Sequence, residues 1–358
     1  MVTQIVKEDL NYIFNKLTER EKEYYNNKNI LITGYAGSIG YMMLEFLRAN
    51  REKLGIKNVY GIDNYVFGKP KWIENFEIEE GFHLLQEDII TCDLSFAADA
   101  NLILHMASLA SPVYYRLHPI ETMDADVIGI RRILDFYRGK NISNILFFST
   151  SEIYGNPDSH HVPTKETYFG NVNTSGPRAC YDESKRFGET ICYYYQNVFN
   201  MPIVILRPFN SYGPGMRTND QRVVADFAHN VINNEDIVIY SNGKATRTFC
   251  YASDTITAIL KAASYENYEI FNIGYDKEEI TIDELALIYS EIGKRLFGYT
   301  GQIVYKVHMD KHYLTDNPQR RCPDIQKAEE LLNYAPEINT ITGVERYLRH
   351  IREWEGRQ

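Results

Sequence analysis

Two residues capable of acid–base chemistry stand one helical turn apart in the stretch YDESK. Tyr181 and Lys185 are four positions apart, so a helix over residues 178–199 would present both on one face. A tyrosine hydroxyl is a poor base near its ordinary pKa of about 10. A nearby ammonium, and a positively charged nicotinamide ring, would favour the phenolate. The pair therefore predicts a tyrosine that exchanges a proton with a substrate.

Three polar residues come directly off a buried run, NILFFST, that predicts a strand over 144–150. Thr150, Ser151 and Glu152 lie in STSEIYG, at the carboxyl end of that strand. Ligands of α/β sheets bind at this edge, so we expect these side chains to point toward a cleft. A polar cap on a strand end is the alternative interpretation.

A glycine triplet follows the first predicted strand and opens a helix. Gly34, Gly37 and Gly40 form GxxGxxG, with Ser38 and Ile39 between the last two. This spacing is typical of a tight turn in which the backbone approaches a pyrophosphate at a helix N-terminus. A strand–helix turn with no ligand could use the same glycines, but the strand–helix context favours a dinucleotide.

Acidic residues end the next two strands. Asp63 lies 23 residues beyond Gly40, where a carboxylate should accept hydrogen bonds from the adenosine ribose. A carboxylate there repels a 2′-phosphate and favours NAD over NADP. Asp63 could instead form a turn before Asn64. Asp88 and Ile89 are predicted to flank the adenine, although an acidic turn is a close alternative.

The elements that must position these residues alternate along the chain. Strands are predicted at 29–33, 59–63, near 83–86, and at 101–105, 144–150 and 202–208, with helices to about Asn50 and over 119–139 and 178–199. This rhythm predicts an α/β fold, a doubly wound parallel sheet covered on both faces. After residue 208 it gives way to loops that carry arginines, which predicts a smaller second domain. We expect a dinucleotide-binding domain of 29–206 plus about 246–275 and a substrate domain of 207–245 plus about 276–350. Residues 1–28 read as a helical extension outside the main fold.

Composition excludes several classes of protein. The chain has 358 residues, 44% of them apolar, and a net charge of −10. That charge argues against binding nucleic acid, and no apolar run reaches the length of a membrane span. The N-terminus does not resemble a signal peptide. Five scattered cysteines indicate reduced, cytoplasmic thiols, and the nine histidines have no metal-ligand spacing, so no metal is expected.

Taken together, the motifs resemble the extended short-chain dehydrogenase/reductase family of nucleotide-sugar enzymes, over roughly residues 29–335. The most specific stretches resemble its decarboxylase branch, which converts UDP-glucuronate to UDP-xylose. The matching stretches are MASLASPVYY (106–115), STSEIYG (149–155), GPRACYDESKR (176–186), RPFNSYGP (207–214), RVV (222–224), ATRTFCYASD (245–254) and NPQRRCPDI (317–325).

The resemblance implies roles for individual residues. Tyr181, Lys185 and Thr150 match the triad that takes the proton of the sugar 4-hydroxyl while NAD receives the C4 hydride. Ser151 and Glu152 match the Ser-Glu pair of the decarboxylases. Met106 and Ala107 fall at the cofactor. The residues that would line the nucleotide-sugar site are Asn210, Arg222, Val223, Tyr240, Arg247 and Arg321.

The chemistry explains why a cation is needed. Oxidation of a hexuronate at C4 gives a β-keto acid, which loses carbon dioxide readily because the ketone delocalises the carbanion. A cationic group should meet the carboxylate, and Arg321 suits this by charge and bidentate geometry. The alternative is a solvated arginine beside Arg320.

Three departures from the family pattern leave the sugar open. Asp126 stands where the family has Asn, Gly215 where the decarboxylases have Arg, and Ala225-Asp226 where they have Ser-Asn. A 4,6-dehydratase or a 4-epimerase or 4-oxidase therefore remains an alternative, although Ser151 replaces the acid that dehydratases use. A dinucleotide-sensing regulator is disfavoured because the Tyr–Lys pair is present. The family commonly pairs the helices over 119–139 and 178–199 between subunits, which implies a homodimer.

Overall fold

The computed structural model describes residues 2–355. The strands are β1 Asn29–Thr33, β2 Asn58–Asp63, β3 Phe82–Gln86, β4 Leu102–His105, β5 Asn144–Phe148, β6 Ile203–Pro208, β7 Ser211–Tyr212, β8 Ile237–Ile239, β9 Thr246–Arg247, β10 Cys250–Tyr251, β11 Glu269–Ile273, β12 Ile280–Thr281, β13 Ile303–Tyr305 and β14 Arg320–Arg321. The α-helices are α1 Gln4–Lys16, α2 Glu19–Tyr24, α3 Ser38–Leu54, α4 Glu74–Glu77, α5 Pro112–Leu117, α6 Pro119–Asp124, α7 Ile130–Tyr137, α8 Ala179–Phe199, α9 Val223–Ile232, α10 Ala252–Ala263, α11 Ile282–Phe297, α12 Gln326–Leu332 and α13 Thr340–Glu355.

Seven parallel strands form the central sheet in the order β11-β6-β5-β4-β1-β2-β3. Their buried, β-branched sequences need cover on both faces, and helices supply it: α3 and α10 on one face, α7 and α8 on the other. The predicted doubly wound α/β fold is confirmed. The edge strand β11 was not predicted, because the alternating run EIFNI is short and lies among turn residues.

Smaller elements after residue 208 surround a second core. Helices α9, α11 and α13 pack around Phe227, Tyr289 and Tyr347, next to the short parallel pair β8 and β13. A separate three-stranded sheet, in the order β12-β9-β14, brings two arginine-bearing segments together. In it Arg247 lies opposite Arg321, across 74 positions of sequence.

The N-terminal segment is part of the main fold, so its prediction as a helix outside that fold is wrong. Val6, Leu10 and Ile13 of α1 are buried in the same core cluster as the sheet. Its Asp9 is buried too, accepts a hydrogen bond from Tyr251 at 2.8 Å, and pairs with an arginine of α13. Sequence periodicity identified the apolar face but not its partner, which comes from distant helices.

The helix predicted over 119–139 is interrupted. Helix α6 passes into a π-helical turn, Ala125–Gly129, before α7 begins. Such turns shift the side chains they carry relative to a regular helix and recur at functional sites. No helix within residues 2–355 is both long and apolar enough to cross a membrane.

Candidate active site

The glycine turn is held by backbone contacts that leave no room for a side chain. Gly34 has φ +73°, and a Cβ there would lie 2.7 Å from the Ala107 backbone. A Cβ on Gly40 would lie 2.2 Å from the Tyr35 carbonyl oxygen. These contacts bring the start of α3 against the carboxyl end of the sheet, where its first residues line a cavity. The turn therefore fits a pyrophosphate at a helix N-terminus.

Asp63 closes the other side of this turn. Its carboxylate accepts hydrogen bonds from the Ala36 amide at 2.9 Å and from the Tyr65 amide at 2.8 Å. Burial raises the pKa of Asp63, while these amides lower it. Asp63 therefore does form the turn that the alternative interpretation describes. Each carboxylate oxygen can accept more than one hydrogen bond, so the same group can also accept from a ribose hydroxyl. Asn64 donates to Asp88 at 3.0 Å, which links two of the predicted cofactor residues.

One continuous cavity of about 710 Å³ runs from the glycine turn to the arginine-bearing loops. Its size is typical of a site for a large organic ligand. It is lined by every residue predicted for the site: Gly34, Gly37, Ser38, Ile39, Gly40, Asp63, Asn64, Asp88, Ile89, Met106, Ala107, Thr150, Ser151, Glu152, Tyr181, Lys185, Asn210, Arg222, Val223, Tyr240, Arg247 and Arg321.

Tyr181 and Lys185 lie on the buried face of α8, as their spacing predicted. The Tyr181 ring stacks on Tyr115, with centroids 5.1 Å apart. Lys185 Nζ donates to the Phe148 carbonyl oxygen at 2.8 Å and lies 2.9 Å from Asp126 Oδ1. The expected depression of the tyrosine pKa is not found. Burial and the Asp126 carboxylate raise the pKa of Tyr181, and a hydrogen bond with Thr150 lowers it only in part.

Thr150, Ser151 and Glu152 follow β5 in a single 3₁₀ turn. The Thr150 hydroxyl accepts a hydrogen bond from the Glu152 amide at 3.2 Å and so fixes the direction of the turn. Glu152 then lies between the guanidinium groups of Arg321 and Arg178. Burial opposes ionisation, but the charges of Arg178 and Arg321 outweigh it and bring the pKa of Glu152 to about 2.

The interpretation of Arg321 as a solvated surface residue is wrong. Its side chain is only 7% exposed, whereas that of its neighbour Arg320 is 41% exposed and pairs with Glu279. The alternation of strand β14 sends the two arginines to opposite sides. Arg321 thus reaches the cavity, where it already holds Glu152.

Arg178 was missed by the sequence analysis as a site residue. It lines the same cavity, is 5% exposed and pairs with Glu152. It also lies 3.7 Å from Asp182, whose pKa is raised to about 7 by burial and by Glu152. The available signal was its position inside GPRACYDESK, three residues before the tyrosine.

Two arginines at the far end of the cavity are already engaged by the protein. Arg247 donates to the Pro318 carbonyl oxygen and to Asn317 Oδ1, at 2.7 and 3.0 Å, and so anchors the loop that leads to Arg321. Burial and the nearby Arg321 lower the pKa of Arg247 to about 9. Arg222 pairs with Asp220 in the same region.

Three other predicted residues line the walls of this end. Asn210 donates to the Thr248 carbonyl oxygen at 2.9 Å. The Tyr240 ring packs edge-on against His308 and Tyr313, at centroid distances of 4.7 and 5.7 Å. Val223 opens helix α9 beside them.

The three departures from the family pattern all lie at the site. Asp126 faces Lys185, as described above. Gly215 has φ +93°, and a Cβ there would lie 2.6 Å from the Ser38 carbonyl oxygen, so the backbone leaves no space for an arginine. Asp226 lines the cavity on α9, and burial followed by Asp220 raises its pKa to about 7.

This fold and the glycine turn at its cavity define a dinucleotide-dependent enzyme. The model of the NAD dependent epimerase/dehydratase family matches residues 30–274. The chain belongs to that family, its cofactor is NAD, and the resemblance inferred from the motifs is confirmed.

Relatives of known identity agree with this assignment, and solved structures share the fold. The chain is 33% identical to UDP-glucuronic acid decarboxylase 1 of Xenopus tropicalis, over 92% of this chain and 73% of that protein. It is 34% identical to UDP-glucuronic acid decarboxylase 3 of Arabidopsis thaliana, over 89% and 87%. The fold is similar to that of a UDP-glucose 4-epimerase from Thermotoga maritima, with a TM-score of 0.77 and 24% identity over 91% and 99% of the chains. A UDP-glucuronic acid 4-epimerase from Bacillus cereus, in complex with UDP-glucuronic acid and NAD, gives 0.75 with the same identity and coverage.

Proposed function

We propose that this enzyme decarboxylates UDP-glucuronate to UDP-xylose through a 4-keto intermediate. The observation that carries the proposal is the buried cluster of Glu152, Arg178 and Arg321 beside Tyr181. Two guanidinium groups face the ionised Glu152, and the pKa of the next carboxyl group, Asp182, is raised to about 7, so positive charge is left to meet the carboxylate of a uronate. The similar proteins described above support the same proposal, since they are UDP-glucuronic acid decarboxylases.

The residues divide the chemistry between them. Bound NAD would accept the C4 hydride and later return it to C4, so the cycle has no net redox change. Tyr181 takes the proton of the C4 hydroxyl as that carbon is oxidised and gives it back when the ketone is reduced. Thr150 holds the phenolic oxygen, and Lys185 supplies positive charge behind it.

The uronate carboxylate leaves between these two steps. The bond from C5 to the carboxyl carbon breaks, carbon dioxide departs, and the electron pair forms the enolate of the 4-ketone before C5 takes a proton. Arg321 and Arg178 would orient the carboxylate through charge-assisted hydrogen bonds. Ser151, at the start of the same turn, would contact the sugar.

The ionisation of Glu152 bears on the dehydratase alternative. Elimination of water needs a group that is protonated at neutral pH and can give its proton to the leaving hydroxyl. Glu152, with a pKa of about 2, carries no proton there, and Ser151 is too weak an acid. The site therefore favours decarboxylation over dehydration.

The test is product analysis with UDP-glucuronate labelled with ¹³C at the carboxyl carbon. We expect labelled carbon dioxide and a UDP-pentose in equal amounts, with no net NADH. The Tyr181→Phe variant is the control and should release neither product. Formation of UDP-galacturonate without carbon dioxide would identify a 4-epimerase instead, and turnover of neutral nucleotide-sugars alone would refute the uronate assignment.

We further propose that the two domains predicted from the sequence bind different ligands. The unit of residues 29–206 plus about 246–275 would bind NAD, and the unit of 207–245 plus about 276–350 would bind the nucleotide-sugar. The second core, around α9, α11 and α13, supports this division. Substitution of the glycines of the turn should lower the affinity for NAD and leave the affinity for the nucleotide-sugar unchanged.

A homodimer is proposed from the outer faces of α6 and α8. Phe187, Tyr194 and Val198 are 54%, 59% and 65% exposed and form one stripe along α8. Helix α6 packs against α8, and its Ile120 is exposed as well. A second copy of the chain would cover this stripe with the same stripe of its own. Light scattering should give twice the monomer mass, and Val198→Asp should shift it toward the monomer.

A cytoplasmic location is proposed from the cysteines. All five lie within the described residues, and none forms a disulfide there. Reduced thiols are usual in that compartment. Localisation of a tagged full-length chain by microscopy or fractionation would test this.

A further inference from the structure

The π-helical turn Ala125–Gly129 places a carboxylate behind the acid–base pair. Asp126 is fully buried, and its Oδ2 accepts a hydrogen bond from the Ser184 hydroxyl at 2.7 Å. The turn lies tightly against α8, since a Cβ on Gly188 would be 3.2 Å from the Asp126 carbonyl oxygen. Asp126 therefore has little freedom to move away from Lys185.

The ammonium of Lys185 lies closer to two oxygen atoms than to the tyrosine. Its Nζ lies 2.9 Å from Asp126 Oδ1 and 2.8 Å from the Phe148 carbonyl oxygen, but 5.9 Å from the centre of the Tyr181 ring. Coulomb energy falls with distance, so a nearby carboxylate cancels much of the ammonium's effect on the phenol. Neutral Asn at this position would leave the full charge acting on Tyr181.

We propose that Asp126 is a positioning residue that holds Lys185, offsets its charge and so raises the pH at which Tyr181 becomes a base. The inference rests on the proposed function only in taking Tyr181 as the base of the reaction. The Asp126 carboxylate disfavours the loss of the Tyr181 proton, because the phenolate would carry a like charge.

Other charged or titratable groups face the pair from every side. They are Asp182, Glu152, His105, Arg222, Tyr115 and Cys192.

Most of these groups keep one charge state across the working pH range. Burial and then Lys185 lower the pKa of His105 to about 3, so its imidazole is neutral. Glu152 stays ionised between its two arginines. Burial raises the pKa of Tyr115, which stays neutral. Asp182, with a pKa of about 7, is the group that could be mistaken for Asp126, so it provides the matched control.

The experiment compares the pH dependence of kcat in the wild type, Asp126→Asn and Asp182→Asn. In Asp126→Asn the acid limb should move to lower pH by about one unit or more, the usual size for the loss of a nearby like charge. Asp182→Asn should move the acid limb less. In Asp126→Asn, KM at high pH should stay at the wild-type value. Asp126→Glu keeps the charge and should retain the wild-type limb.

A direct titration separates this inference from the proposed reaction. The ¹³Cζ resonance of Tyr181 in the NAD-bound protein, identified by its loss in Tyr181→Phe, can be followed without any substrate. Its midpoint should fall in Asp126→Asn, whichever nucleotide-sugar the enzyme uses. An unchanged or higher midpoint would overturn the proposal. If the Asn variant does not fold, Asp126→Ser removes the same charge and carries the same test.

Discussion

The two ends of the cavity are built on different principles. At the cofactor end, the geometry comes from backbone approach, with Gly34 and Gly40 pressed against Ala107 and Tyr35. At the chemical end, the geometry comes from buried charges, with Glu152 between two arginines and Lys185 beside Asp126. The glycines of the first end lie within seven consecutive residues. The second needs groups from several separate segments, so a single change there alters the electrostatics of the rest.

The largest effect is expected from Tyr181, the proposed acid–base group at the chemical end. Tyr181→Phe removes the phenolic oxygen and should lower kcat by at least about 10²-fold, the low end for loss of a general base. Because the cofactor end is built separately, NAD affinity and melting temperature should stay near the wild type. Near-normal activity would show that another group moves the proton.

The arginine pair of β14 tests the buried charges directly. Arg321→Ala removes a charge-assisted contact worth about 1.5–3 kcal/mol, so affinity for UDP-glucuronate should fall roughly ten- to hundredfold. Carbon dioxide release should be lost as well. The neighbouring, exposed Arg320→Ala is the matched control, and its binding constant should not change. Equal losses in both variants would indicate a general effect of strand β14.

The backbone principle is tested by a glycine pair. Gly34→Ala combines a positive φ with a clash against Ala107, which should cost about 1–2 kcal/mol, or a five- to thirtyfold loss of NAD affinity. Gly139 has a similar φ of +79° but nothing near its Cβ position. Gly139→Ala should leave NAD binding intact, as measured by calorimetry. Loss of affinity in both variants would mean that the close approach at Gly34 is unimportant.

The smallest effect concerns the choice of cofactor. A 2′-phosphate would meet the Asp63 carboxylate, so NAD should bind at least about tenfold better than NADP, equivalent to 1.4 kcal/mol. Asp63→Asn should narrow that ratio, because the amide carries no charge. The two dissociation constants, measured at one ionic strength, check it. Equal affinities in the wild type would remove Asp63 from this role.

Much of the fold could be predicted because its signals are local. Six of the seven central strands were located to within a residue or two, because buried parallel strands appear as short apolar runs. The i,i+4 spacing placed Tyr181 and Lys185 on one face of a helix, and the glycine spacing gave the turn. The edge strand β11 and the π-helical turn were not predicted, since neither has a strong local sequence pattern.

The amino-acid sequence by itself determined the class of chemistry: the glycine turn, the Tyr–Lys pair and the Thr-Ser-Glu strand end each lie within a few consecutive positions. The tertiary structure alone decided the electrostatics. Arg321 reaches Glu152 across 169 positions because β14 pairs with β9, and Asp126 reaches Lys185 because a π-helical turn lies against α8. Charge interactions depend on distance and burial, and neither can be read from positions so far apart in the chain.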